Sequence, residues 1–212
     1  QLVSIEQALR MPSHVRVVAV GDYNGIELDA TKRYLFATGH GVPNLLRYDV
    51  SNWNMATLSK VDTGSAQSFA YDDLLQEIYV FNSETRQLLT LDGETLEVKS
   101  TLAVSDLSPG DVWIVVDGRT NTITLASEAD QKSGVPFVVL DRITGAVLDK
   151  RALDPGNILL GRETSRLYLS FFRRRAAIMQ YDLRTRSILA EEPAPQKADR
   201  MLVLDDQDEV LL

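Results

Sequence analysis

Residues 78–98 read IYVFNSETRQLLTLDGETLEV. An apolar run meets a polar turn, LLTLD follows, then a second polar turn and another apolar start. Strand and turn signals in this alternation describe consecutive antiparallel β-strands. LLTLD at 88–92 has counterparts at 45–49 (LLRYD), 137–141 (FVVLD) and 178–182 (IMQYD). Their aspartates, Asp49, Asp92, Asp141 and Asp182, lie 43, 49 and 41 residues apart. Three residues on stand Asn52, Thr95, Thr144 and Thr185; six residues on stand Met55, Val98, Val147 and Ile188. An aspartate carboxylate accepts bonds from the backbone amides of the turn after it, and threonine adds its hydroxyl to the same turn. The apolar residue at +6 then opens the returning strand, so one hairpin is made four times.

The intervening stretches repeat too. GIELD at 25–29, SFAYD at 68–72, VWIVVD at 112–117 and MLVLD at 201–205 are apolar strands that stop at aspartate and lead into a further strand. Segment 158–170, ILLGRETSRLYLS, is a fifth copy, with Arg162 in the place of the aspartate. Each unit is thus four short strands, a to d. Strict repetition of four-stranded units selects an all-β fold of the β-propeller kind. QLVSIE at 1–6 aligns with QLLTLD at 87–92, and Glu6 lies one period before Asp49. The N-terminal c–d strands (1–6 and 14–20) and the C-terminal a–b strands are complementary halves of one blade. The expectation is a single domain over 1–212, of five blades, with units at 25–64, 65–105, 106–155 and 156–196, closed by 197–212 plus 1–24. Pairing the termini would leave no unpaired edge around the ring. The other reading is part of a larger, six- to eight-bladed ring.

The strand–turn–strand copies, such as 78–98 and FVVLDRITGAVLDKRAL at 137–153, resemble the YVTN-type propeller repeats of bacterial surface and periplasmic proteins. The likeness runs over nearly the whole chain, and it specifies a blade rather than an activity. It implies a periplasmic or extracellular location, while the lack of cysteine fits a cytoplasmic one equally well. WD40 signatures are missing: there is no Trp-Asp dipeptide, and Gly39-His40 is the one Gly-His.

Composition narrows the function classes. The chain has 30 acidic and 22 basic residues and a net charge of −8, which argues against nucleic acid as a general partner. No cysteine is present, which removes disulfides, thiolate catalysis and cysteine-based zinc sites together. No apolar run is long enough to span a membrane, and since the sequence opens on Gln1, any targeting peptide is expected to lie outside it. No cofactor and no metal-ligand set is expected: two histidines, His14 and His40, without cysteine make a poor zinc site.

Candidate sites fall on the face where d–a and b–c loops emerge, because loops on a rigid scaffold carry function. The d–a loops are 21–24, 62–67, 105–111, 154–157 and 195–199; the b–c loops are 38–44, 82–86, 126–136 and 172–176. His40, in TGHGVPN, is either a general base, which needs a carboxylate and a nucleophile in reach, or a solvated loop histidine. Arg173, Arg174 and Arg175 follow two phenylalanines and either bind a carboxylate, phosphate or acidic partner or balance nearby acids. The acidic run 205–209 lacks the glycine and spacing of a calcium loop and reads as a solvated turn. The long 126–136 loop explains the 49-residue spacing. Asn24, Gln67, Asp111, Asn157 and Arg200 stand at the starts of a strands, a ring of polar groups for a small ligand or for ordered water. No GxSxG, HExxH or phosphate loop occurs, and no catalytic residue is assigned. The expected function is a non-enzymatic binding module for a protein partner, or a domain of a larger assembly. The alternative is a small-molecule hydrolase, lyase or cyclase at the channel mouth, using groups such as Asp111 with His40.

Overall fold

The computed structural model describes residues 22–29, 33–40, 42–50, 54–58, 61–64, 66, 68–107, 112–127, 135–153, 155–171, 176–194, 202–204 and 209–211. Among these the chain is all β, without helices. Four four-stranded antiparallel sheets form in chain order. The first holds β1 (Asp22–Leu28), β2 (Tyr34–His40), β3 (Val42–Asp49) and β4 (Asn54–Leu58). The second holds β5 (Phe69–Asp72), β6 (Glu77–Asn82), β7 (Gln87–Asp92) and β8 (Val98–Ala103). The third holds β9 (Val112–Asp117), β10 (Thr122–Ser127), β11 (Phe137–Asp141) and β12 (Val147–Arg151). The fourth holds β13 (Asn157–Gly161), β14 (Arg166–Phe171), β15 (Ala177–Asp182) and β16 (Ser187–Pro193). A two-stranded hairpin follows, β17 (Leu202–Leu204) with β18 (Glu209–Leu211). The expected strands at 1–6 and 14–20 lie outside the described residues, and so does any closure through them.

One turn chemistry builds these sheets. After β7, Asp92 Oδ1 accepts the amides of Glu94 (2.9 Å) and Thr95 (2.8 Å) and the Thr95 hydroxyl. Asp141 and Asp182 repeat the arrangement on Ile143 and Thr144 and on Arg184 and Thr185. The a–b turns use it as well: Asp72 holds Leu74 and Leu75, and Asp117 holds Arg119. Asn82 does the same between β6 and β7 with Glu84 and Thr85. The residue four past each of these acceptors is left-handed: Gln76, Arg86, Leu96, Asn121, Gly145 and Arg186 all have positive φ. That conformation reverses the chain in a short turn and sends it back in register.

The structure corrects several sequence readings. Gly161, not Arg162, occupies the aspartate place in the fourth sheet, since Gly161 pairs with Arg166 as Asp117 pairs with Thr122. Without a carboxylate, this turn relies on Thr164, whose amide and hydroxyl both donate to the Gly161 carbonyl at 3.3 Å. The loop expected at 21–24 is strand: β1 starts at Asp22, with a bulge between Tyr23 and Gly25. The loop expected at 38–44 is mostly strand too, because β2 runs to His40 and β3 begins at Val42. Gly25 permits this, since a Cβ there would stand 2.7 Å from the Thr38 hydroxyl oxygen. Asn82–Arg86 is a tight hairpin turn rather than a variable loop.

Two compact units divide the chain, Gln1–Thr101 and Leu102–Leu212. In the first, Phe36 packs edge-on to Phe69 (6.4 Å) and beside Tyr71 (5.2 Å) over Ile78, Val80, Leu89 and Leu91. In the second, Phe137 meets Tyr181 edge-on (5.3 Å) over Val139, Ile158, Leu167, Leu169 and Met179. The second strands are the most buried, β10 along its whole length, while β8, β12 and β16 are largely exposed at the outer side. Those outer strands carry charge, including Lys99, Lys150, Arg151, Glu191 and Glu192, which guards an unpaired edge.

Turn bonds hold Asp92, Asp141 and Asp182 below the ordinary aspartate range: the Thr95 amide does most at Asp92 and the Thr144 amide most at Asp141. At Asp182 burial opposes the shift, and the bonds from Thr185 and Arg184 outweigh it. Their folded pKa is depressed, so their contribution is full above about pH 4 and is lost as pH falls through the folded values. Urea unfolding should show stability falling in that acid window. At neutral pH, Asp92→Ala should cost about 1 kcal/mol. Gly145→Ala should also destabilise, because φ there is +69° and a Cβ would lie 2.8 Å from the Leu102 methyls.

Candidate functional site

Of the residues singled out in the sequence, Gln67, Asp111, Arg173, Arg174, Arg175 and Arg200 lie outside the described residues, and so do His14, 128–134 and 205–208. Asn24 falls at the β1 bulge. His40 closes β2 opposite Asp22. Asn157 opens β13 opposite Ser170, with its Oδ1 turned back to accept the Ile158 amide at 2.8 Å. The Gly156 amide donates to the Ser170 carbonyl at 2.7 Å, so this strand start is pinned at both residues. The Ser170 hydroxyl beside it is buried without a hydrogen-bond partner among the described residues. The 62–67 segment, expected as a free d–a loop, is anchored. Thr63 is buried and donates its amide and hydroxyl to the Pro43 carbonyl, and Asn82 Nδ2 reaches the Asp62 carbonyl.

Two groupings of chemically capable side chains emerge that the sequence did not single out. In the second unit Asp149 Oδ2 accepts the Tyr181 hydroxyl and Arg151 Nε, each at 2.6 Å, while Arg151 stacks on the Tyr181 ring and donates to the Arg186 carbonyl. Burial pushes the Asp149 carboxyl up, yet the bonds from Tyr181 and Arg151 bring it below its ordinary value. Burial and the bond to Asp149 push the Tyr181 phenol upward. An ionised carboxylate fixed between a phenol and a guanidinium seals the third sheet to the fourth. Such a carboxylate is held away from acid–base work. No regular spacing announces the group, because Asp149 and Tyr181 meet only through sheet packing.

The other grouping is at the a–b turn end of β1 and β5, in the first unit. Glu27 Oε2 accepts the Tyr71 amide at 3.2 Å, 44 residues away. Burial first, then the charges of Asp29, Asp73, Glu27 and Asp72, push the Tyr71 phenol up to about 12. Next to it the Asp73–Gln76 turn presents Leu74, 79% exposed, and Leu75, 43% exposed. The sequence does carry a signal here: DDLLQE is apolar where the sister turns read DGRTN and GRETS. Among the described residues no cluster of three or more His, Asp or Glu is placed to hold a metal ion, and no helix is long and apolar enough to cross a membrane.

No protein-family model matches the sequence, and no curated protein matches it. Solved structures do match. Hydrazine synthase of Kuenenia stuttgartiensis superposes with a TM-score of 0.69 at 13% identity, over 89% of this chain and 53% of that one. The dihydro-heme d1 dehydrogenase NirN, in complex with DHE, gives 0.61 at 13% identity, over 84% of this chain and 39% of that one. Both are β-propeller proteins. The likeness shows a propeller-type all-β fold. This chain spans about half or less of the length of either.

Alkaline titration followed by tyrosinate absorbance should show a Tyr71 step near pH 12, and Tyr71→Phe should remove that step. Because the folded pKa is raised, the neutral phenol's contribution to stability is full below about pH 10 and is lost as pH climbs through 12. Asp149→Asn should lower stability by about 2 kcal/mol, as expected for charge-assisted bonds, in a denaturant titration.

Proposed function

We propose that this chain is a non-enzymatic β-propeller binding module of YVTN type, acting on a protein partner or within a larger assembly, in the periplasm or outside the cell. The observation that carries it is the employment of the acids. Asp29, Asp72, Asp92, Asp117, Asp141 and Asp182 bind their own turns, and Asp149 bonds a neighbouring sheet. Side chains suited to acid–base chemistry serve the scaffold, and a scaffold leaves loops for recognition.

In this reading the four sheets and a fifth unit, 197–212 plus 1–24, close a five-bladed ring. Ile26 and Leu28 support it: they are 61% and 42% exposed, while Phe69, Ile114 and Ile158, at the place of Ile26 in the other sheets, are buried. A further sheet would cover them. The chain has no cysteine, so closure has a clean test. Ser4→Cys with Val210→Cys should form a disulfide on mild oxidation if 1–6 pairs beside β18, and reduced protein that stays unlinked would reject the closed ring.

Arg173, Arg174 and Arg175 are the recognition patch of this reading. Arg173→Glu with Arg174→Glu should leave the melting temperature nearly unchanged and weaken binding to an acidic probe such as poly-glutamate. The weakening should shrink as salt rises, since exposed charges are screened over about 8 Å at physiological ionic strength. A large loss of stability would show the arginines packed and paired internally.

The second reading, a hydrolase, lyase or cyclase acting on a small molecule, draws on the Ser170 hydroxyl, unpartnered among the described residues and across from Asn157. Enzyme names among the fold neighbours add only that propellers can host enzymes. A small molecule in unbiased crystal density against Ser170 and Asn157 would favour it over the binding module.

A further inference from the structure

Leu74 and Leu75 project from a turn that is built to be rigid. Asp72 Oδ1 accepts the amides of both, at 2.9 and 3.2 Å. Gln76 sits in the left-handed region with φ 54°, and its side chain spans the turn: Nε2 donates to the Asp73 carbonyl and Oε1 accepts the Tyr71 hydroxyl, each at 2.7 Å. The Gly93 amide donates to the Gln76 carbonyl at 2.8 Å, close enough that a Cβ on Gly93 would stand 2.9 Å from that oxygen. Every one of these bonds uses backbone or residues other than the leucines, so the turn does not need leucine to form.

The sister turns show what the fold asks of this position. Two residues past the turn acceptor stand Arg119 after Asp117 and Glu163 after Gly161, and these two pair with each other at 2.7 Å across successive turns. In these two turns the place is held by charge, and two past Asp29 the first sheet has Thr31. At the same place the second sheet has Leu74, with four-fifths of its surface in water, and Leu75 beside it. A fixed apolar tip of this kind fits a pocket in a partner: an anchor that loses little freedom on binding. Around the neighbouring Tyr71 lie the half-buried carboxylates of Glu27 and Asp73, with those of Asp29 and Asp72 buried on their own turns, on a chain of net charge −8. Such a rim selects a cationic surface and repels anionic lipid headgroups.

We propose that the Asp73–Gln76 turn is a docking tip for a basic protein segment, with Leu74 and Leu75 seated in an apolar pocket between lysine or arginine side chains. The proposal rests on the binding-module reading and adds a second surface to it, distinct from the arginine loop.

The test uses the whole chain and three probes: a synthetic peptide alternating leucine and lysine, its leucine–glutamate counterpart, and phosphatidylglycerol vesicles. Wild-type protein should bind the leucine–lysine peptide at low salt and neither of the others. Leu74→Ser with Leu75→Ser should weaken that binding at least tenfold with the melting temperature unchanged, since the turn bonds persist. Should that variant fold poorly, Leu74→Arg, which restores the charged residue of the sister turns, should fold and show the same tenfold loss. Failure of wild type to bind the leucine–lysine peptide, equal binding by the leucine variants, or leucine-dependent vesicle binding would each overturn the proposal. The Arg173→Glu, Arg174→Glu protein separates the two surfaces. It should keep leucine–lysine binding while losing poly-glutamate, so failure of the docking tip leaves the binding-module reading to stand or fall by poly-glutamate alone.

Discussion

Everything in this fold depends on one small hydrogen-bonded device: an Asp or Asn oxygen that takes the amides two and three residues ahead, with a left-handed residue at the fourth. A strand that ends on this device must return antiparallel beside itself, because the turn closes in five residues. Repeating it yields a meander, and a meander of four strands is as far as burial carries it. The first three strands hide apolar side chains, and the fourth faces water with charges along it. Turn and strand chemistry point to the same register, and that agreement gives a sequence a single fold.

Successive sheets within each unit then lock at an offset of about one repeat. Glu27 reaches Tyr71 and Arg119 reaches Glu163, both 44 residues on, and Arg47 reaches the Gly93 carbonyl, 46 residues on. The residues differ in kind while the offset holds. Aromatic rings also join neighbouring sheets, with Phe36 on Phe69, 33 residues on, and Phe137 on Tyr181, 44 residues on. Polar links at the rim and rings at the centre thus divide the labour of joining neighbouring sheets. The Glu27 and Arg119 links are exposed or half-exposed and modest in strength, the Arg47 link is buried, and the buried rings supply most of the adhesion.

The sheets were legible in the sequence because their signals are local. Asp49, Asp92, Asp141 and Asp182 act within five residues of themselves, so a repeated pentapeptide reveals them. The place of Gly161 was hidden for the same reason: no aspartate marks it beside Arg162, and backbone register alone does. The bulge at Asn24 and the extension of β2 to His40 depend on Gly25 lying against Thr38, a contact between strands that no single segment declares. Candidate chemistry was less legible still. The Asp149, Arg151 and Tyr181 group is assembled across two sheets from residues up to 32 apart. Leu74 and Leu75 stand out only once the sister turns are aligned and seen to be polar or charged.

The one-repeat offset has a consequence for ancestry. A chain whose sheets grip the next sheet at a constant stride can gain or lose a whole stride and keep every grip it had. The same chain cannot shed one residue from a strand without turning its apolar side outward. Its history should therefore be written in multiples of roughly 43 residues, with smaller edits gathered where the stride has slack, as between Asp92 and Asp141. Length, for such a protein, is closer to a number of copies than to a number of amino acids.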